Sequence, residues 1–371
     1  MIGNQNQNRI FGLDVMRAAA ILMVMFGHCI WVFPLTYGVF HQLMLLSGFL
    51  GVEVFFILSG FLIGKILYEL YLKQDFSMNS VVFFLKRRWF RTLPNYLLIL
   101  IVNILIAFVI GNDISYSWKY FFFAQNIFTP MTPFFTESWS LSVEEFAYIV
   151  LPLFLFLVGS VVKPQQKSKF FLFSVLILIL LFFCNKIFYQ NTTTNTTLNQ
   201  WNMSLKAVVI YRLDSIFIGV LCSWIYLNFK ESWRKYRYIF FVIGIFLFLF
   251  QFVAIGYFGL FIETYPAFWN ILYLPLVSVV VACFLPFFSE WKKEKTVIKK
   301  PIVFISIISY SMYLLHYGVV LQLLKHNIDY NAQNPIELYG FLSAYVFITL
   351  FLSYLLYRFY EKPLMDLRDK N

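Results

Sequence analysis

The sequence predicts an all-α polytopic integral membrane protein of about ten transmembrane helices, with both termini cytoplasmic. Three observations predict it. Of 371 residues, 61% are hydrophobic and 13% are charged, against about 45–50% and about 25% in a soluble domain. The apolar residues gather in runs long enough to cross a bilayer, and the basic residues gather on alternate connecting segments. So little charge cannot give one soluble core a wettable exterior, and the composition equally excludes disordered, collagenous and disulfide-scaffold chains.

A membrane-crossing helix needs roughly 20 mostly apolar residues. Ten stretches qualify, at about 15–36, 49–70, 93–111, 143–162, 170–189, 207–228, 238–258, 267–288, 302–324 and 338–359. The run from Phe240 to Phe252 suits only a lipid-facing or buried helix. The sixth and tenth spans are less uniform, because Arg212, Asp214 and Arg358 interrupt them. The polar start, Met1 to Asn8, leads into a run expected to stay as the first span, with no cleavable signal and no soluble domain at either end.

Orientation follows from Lys and Arg. With a cytoplasmic N-terminus, the inner segments hold Arg9 and Arg17, Lys73 and the Lys86–Arg91 cluster, then Lys163, Lys167 and Lys169. Further along they hold Lys230, Arg234, Lys235 and Arg237, then the lysines from Lys292 to Lys300, and finally Arg358, Lys362, Arg368 and Lys370. The outer segments hold Lys119, Lys186, Lys206 and Lys325. This asymmetry accounts for the net charge of +11 as topogenic: the partner it implies is the bilayer, not nucleic acid. The four cysteines sit in apolar runs without metal-ligand spacing, so no metal site is expected and they read as buried small hydrophobes.

Ionisable residues at membrane depth are costly, so each is a functional candidate. Asp14 and Arg17 open the first span, and His28 lies further along it. Eleven residues is close to three helical turns, which puts Arg17 and His28 on one face about 16 Å apart. Glu53 opens the second span, Glu144 and Glu145 the fourth after Trp139, Arg212 and Asp214 the sixth, and His316 lies in the outer part of the ninth. The bland reading of Arg212 and Asp214 is a neutralising pair that fixes helix packing. Arg87, Arg88 and Arg91 share a helical face suited to phosphates, with a lipid-headgroup anchor as their bland reading. Gly60 and Gly64 mark a close helix contact.

These residues carry a resemblance. The sequence resembles the membrane acyltransferase-3 family in Gly12-Leu13-Asp14-Val15-Met16-Arg17 through His28, which fits the family's Arg-x10-His signature. Gly51-Val52-Glu53-Val54-Phe55-Phe56, Arg87-Arg88-Trp89-Phe90-Arg91, and Trp139-Ser140-Leu141-Ser142-Val143-Glu144-Glu145 follow in order. Tyr310-Ser311-Met312-Tyr313-Leu314-Leu315-His316 and Tyr360-Glu361-Lys362-Pro363 complete it. Phe146-Ala147-Tyr148 departs from the usual Gln-Phe-Tyr.

The resemblance implies one transmembrane domain over 1–371 in a cell membrane, plasma or bacterial inner. It implies a transmembrane O-acyltransferase moving an acyl group, acetyl first among them, from cytoplasmic acyl-CoA to a hydroxyl of an envelope glycan or related acceptor. No permanently bound cofactor is expected. The donor's phosphates would lie on Arg17, Arg87, Arg88 and Arg91. His28 would be general base, Glu144 would orient it as a triad carboxylate does, and Glu53, Trp139, Glu145, Arg212, Asp214 and His316 would serve the substrate side. An acyl-His intermediate is the alternative to direct transfer. The rival class, read from the same buried polar residues, is a secondary transporter or flippase for a glycan or lipid-linked substrate. Only the enzyme consumes acyl-CoA.

Overall fold

The computed structural model describes residues 9–33, 38–73, 76–295 and 297–368, which form helices joined by turns, with no strand among them. Residues 34–36 of the first expected span, and Lys370, fall outside that set. Ten principal helices follow one another: α1 Phe11–His28, α2 Val39–Leu72, α3 Met78–Ile110, α4 Trp139–Val162, α5 Lys167–Thr192, α6 Leu213–Asn228, α7 Arg237–Tyr257, α8 Leu274–Glu290, α9 Lys299–Leu315 and α10 Pro335–Leu356. Nine helices among the described residues are long and apolar enough to cross a membrane. The exception is α6, which has 16 residues where the sequence predicts a full span. The chain entering it first makes a π-helical segment, Asn202–Lys206, and a 3-10 turn, Val209–Tyr211.

Several helix ends follow from local chemistry. Ser77 and Ser80 form a capping box ahead of α3, and Gly111 at φ 82° ends it in the left-handed conformation that glycine adopts without strain. Asn334 caps α10 through the Ile336 N–H at 3.1 Å, with Pro335 at the first helical position. Two helices overrun their expected spans. α2 has 34 residues and α3 has 33, each about 50 Å at 1.5 Å per residue. The basic Lys86–Arg91 cluster therefore lies on α3 itself rather than in a loop.

α2 is the central helix, running along α1 on one side and α6 on the other. Glycines permit both approaches. A Cβ at Gly60 would fall 2.0 Å from the Ile216 carbonyl oxygen, and one at Gly27 would fall 2.4 Å from the Gly48 Cα. Only hydrogen fits there, so the contact expected at Gly60 and Gly64 is made, against α6. α7 lies at the periphery, with Phe246 and Val253 exposed. Cys29 and Cys222 are buried, whereas Cys184 is exposed on the outward face of an apolar helix, contrary to the sequence expectation.

The N-terminal end of α1 meets the far end of α8, where the Gly12 N–H donates to the Trp291 carbonyl at 2.8 Å. Glu361, near the C-terminus, accepts from Asn95 of α3 at 2.9 Å and Ser311 of α9 at 2.7 Å. These contacts gather Arg9, Arg17 and the α3 cluster at one end of the bundle, called here the basic end.

Candidate active site

At the basic end α1, α2, α3, α4 and α9 surround a cavity of about 840 Å³, counted out to its open mouth. Arg17, Arg88 and Arg91 line it, together with Ser59, Glu144, Tyr148 and Tyr310. Arg88 and Arg91 share an α3 face at i and i+3. Arg17 is steadied by the Ser306 hydroxyl at 3.3 Å and by Asp14 at 3.6 Å. Asp14 is already bound to Arg9 at 2.5 Å and to Ser306 at 2.7 Å. Three guanidiniums converging on one cavity make a site for phosphates, which they can hold bidentately.

Ser140 and Tyr313 also line the cavity, and their hydroxyls lie 2.6 Å apart. The Tyr313 ring also lies 5.8 Å from the His316 ring. One tyrosine thus stands between the arginine cavity and a pair of histidines.

The histidines fix one another's protons. His316 Nδ1 faces the carbonyls of Tyr313 at 2.8 Å and Met312 at 3.1 Å. Only an N–H can face a carbonyl favourably, so Nδ1 carries the hydrogen and Nε2 of the neutral ring accepts. That Nε2 is 2.8 Å from His28 Nδ1, which must then donate. The remaining nitrogen of His28, Nε2, keeps its lone pair, the tautomer a general base requires.

A break in α9 presents these groups. The helix gives way at His316 to a π-helical segment, His316–Leu321, a distortion that frees backbone groups and recurs at functional sites. The Gly318 N–H donates to Glu137 Oε1 at 2.8 Å, and the Tyr317 ring packs on His28 at 4.7 Å. A Cβ at Gly318 would fall 2.4 Å from Asn103 Oδ1 and 2.7 Å from Glu137 Oε1. Glu137, buried and absent from the sequence candidates, therefore holds the π segment that carries both partners of His28. The sequence signal was there: it is an acid two residues before Trp139. It was hidden because the fourth span was expected to start at 143, whereas the helical run starts at Thr136.

The chain as a whole has counterparts among known proteins. The family model described as an acyltransferase domain matches residues 10–358. The chain belongs to the acyltransferase-3 family. Over 386 aligned positions it is 26% identical to the Staphylococcus aureus (strain COL) protein named "Putative O-acetyltransferase SACOL0978", covering 95% of this chain and 56% of the relative. It is 25% identical to "O-acetyltransferase OatA" of S. aureus (strain NCTC 8325), covering 95% and 57%. The chain thus spans about half the length of the curated relatives it matches. No solved structure gives a significant match.

In this acyltransferase-3 chain the other candidates fall where the sequence did not put them. Glu144 lines the cavity and accepts from the Tyr148 hydroxyl at 2.8 Å; it makes no hydrogen bond to His28, whose partner is His316. Glu145 points the other way, as the next residue on a helix must, and ties α4 to α3 through Trp89 at 3.0 Å and Thr92 at 2.8 Å. Arg87 is exposed, lies over the Phe83 ring at 5.7 Å and is not part of the cavity lining.

The expected Arg212–Asp214 pair is replaced by two others. Arg212 bonds Glu53, and Lys186 bonds Asp214. Glu53 also accepts from Ser278 at 3.3 Å, and Arg212 lies over Phe56 at 5.3 Å. All four charges are at most 1% exposed, so they join α2, α5 and α6 rather than meet a substrate. Trp139 is buried with its edge toward Phe56 at 5.8 Å. Among the described residues, no three His, Cys, Asp or Glu side chains are grouped so as to hold a metal ion.

Proposed function

We propose that this acyltransferase-3 chain transfers an acetyl group from cytoplasmic acetyl-CoA to a hydroxyl of an envelope glycan. The reading rests chiefly on the His316–His28 hydrogen bond standing beyond an arginine-lined cavity. Its polarity leaves a free imidazole nitrogen on the same α1 face as Arg17. The names of the S. aureus relatives support the acetyl group.

The basic end faces the cytoplasm, in keeping with the retention of Lys and Arg on that side. The donor's phosphates bind Arg17, Arg88 and Arg91, and its pantetheine arm runs along the cavity toward Tyr313. The thioester passes the Tyr313–Ser140 pair to reach His28. His28 Nε2 takes the proton of the acceptor hydroxyl as the oxygen attacks the thioester carbonyl. The C–S bond then breaks, and the departing thiolate recovers that proton from the imidazolium, so no proton is gained or lost. His316 holds His28 in the required tautomer, the part a carboxylate plays in a triad. It also shares the transient positive charge, because Nδ1 of His28 keeps its hydrogen bond throughout. Glu144 stands among the three arginines and limits their repulsion when the cavity is empty.

The test is mass spectrometry of envelope glycans from a deletion strain complemented with wild type or with His28→Ala. An ester-linked acetyl restored by wild type and not by the variant is expected. Restoration by a well-inserted His28→Ala protein would refute the mechanism. Identical glycans in all strains would move the weight to transport.

A further inference from the structure

Away from the basic end lies a cation, Lys206, that the two buried ion pairs do not use. After α5 the chain turns through Leu198–Trp201 and the π-helical segment Asn202–Lys206. Its last residue brings Lys206 Nζ to 5.7 Å from the Trp139 ring centroid and 5.9 Å from that of Phe49. The carboxylates within electrical reach are engaged, Glu53 by Arg212 and Asp214 by Lys186. Lys206 makes no ion pair or side-chain hydrogen bond among the described residues. It is half-buried, and its charge bears on His28 as well as on Glu53 and Arg212.

With Glu53 cancelling Arg212 and Asp214 cancelling Lys186, the charge of Lys206 is left uncancelled beside the two pairs. A cation withdrawn from water without a counter-ion is costly. The two rings offset part of that cost through their π faces, but they give the half-buried ammonium no acceptor for its N–H groups. An arriving anion would satisfy them. Phe49, half-buried, is an apolar surface of the kind that packs against the C–H face of a sugar, and buried Trp139 backs the ammonium.

We infer that Lys206, Trp139 and Phe49 form the acceptor position, and that the acceptor it takes is a sugar bearing a carboxylate or phosphate. This rests on the acyl-transfer reading, because it is proximity to His28 that makes the position an acceptor site. The anion on Lys206 anchors the sugar, Phe49 fixes its plane, and a hydroxyl of the same unit is left to face His28 Nε2. Selection by charge lies at this outer position, apart from the arginines that hold the donor.

The experiment uses the full chain in phosphatidylcholine nanodiscs at constant ionic strength. Binding of glucuronate, glucose 6-phosphate, glucose and inorganic phosphate is followed by thermal shift. The charged sugars are expected to bind roughly tenfold or more tightly than glucose, as one charge-assisted hydrogen bond would give, and more tightly than phosphate alone. Lys206→Met should abolish the preference, and Lys206→Arg should keep it. Glucose binding as well as glucuronate overturns the inference, as does a preference that survives Lys206→Met. Phosphate binding as well as glucose 6-phosphate, or displacement by phosphatidylglycerol in the disc, would assign the cation to a lipid headgroup instead. Acetyl-CoA binding in the same samples separates the two claims. If it persists without a sugar preference, the acceptor inference alone falls; if it is absent, the acyl-transfer reading falls with it.

Discussion

Two clusters of charge sit within this bundle, and their difference is instructive. At the basic end three arginines face an open cavity, with Asp14 and Glu144 as nearby counter-charges. In the other half Arg212, Glu53, Lys186 and Asp214 are matched one to one and sealed from solvent. Both are equally improbable in an apolar sequence, and both invite a functional reading there. The structure separates them by where the charge points. A pair that neutralises itself joins helices, whereas guanidiniums lining an open cavity can take an anion. Charge at membrane depth is thus ambiguous in the sequence, and the open cavity beside the arginines is what distinguishes them.

The comparison can be broken most forcefully in the sealed half. Arg212→Ala leaves Glu53 buried and unpaired, a change that costs about 3–5 kcal/mol. The expected outcome is poor accumulation or a large drop in melting temperature in detergent, irrespective of added acyl-CoA. A stably folded Arg212→Ala protein that has lost only activity would place the pair in the chemistry. In the site itself, His316→Phe keeps ring volume but removes the acceptor for His28 Nδ1. The fold should survive and turnover should fall by roughly 10²-fold or more, within the range of general-base effects, with KM for acetyl-CoA nearly unchanged. A turnover matching wild type would remove His316 from the mechanism.

Smaller effects sharpen the other side of the comparison. Arg88→Ala removes one of three phosphate donors, so KM for acetyl-CoA should rise about tenfold, the worth of one charged hydrogen bond. Its kcat should change little, and added salt should weaken wild-type binding more than that of the variant. The mildest effect is a pH dependence. Burial, and after it the charge of Arg212, hold the Lys206 ammonium down to about 8 against the opposing pull of Glu53. The charged form prevails below that value. The preference for an anionic sugar should therefore be full near pH 6.5 and fade as pH rises through about 8, in titrations that also track His28 and Glu53, the other titratable groups coupled to this position. A flat profile across that range would remove Lys206 from acceptor binding.

Much of this was legible in the sequence, for reasons that can be named. Helical phase alone aligned Arg17 with His28, because no packing decision intervenes within one helix. Run length located the ten principal helices, nine of them long enough to cross a membrane, and the shortness of α6 traces to the irregular turns at 202–211 that precede it. What required coordinates was the matching between helices. Nothing in sequence spacing says that Arg212 meets Glu53 rather than Asp214, or that Lys186, set down as an outer lysine, is drawn inside by Asp214. His316 was found but assigned to the substrate, because the π segment that turns it toward His28 has no pattern of its own. Glu137 was lost to a helix boundary drawn seven residues late.

The measurement that bears most directly on the account is acetyl-CoA turnover by purified wild type, His28→Ala and His316→Phe in nanodiscs, with an envelope glycan extract as acceptor. The account predicts glycan-dependent release of CoA by wild type, none above background by His28→Ala, a residual rate for His316→Phe, and equal acetyl-CoA binding by all three. Release by His28→Ala at the wild-type rate, with the protein folded and the donor bound, would contradict it.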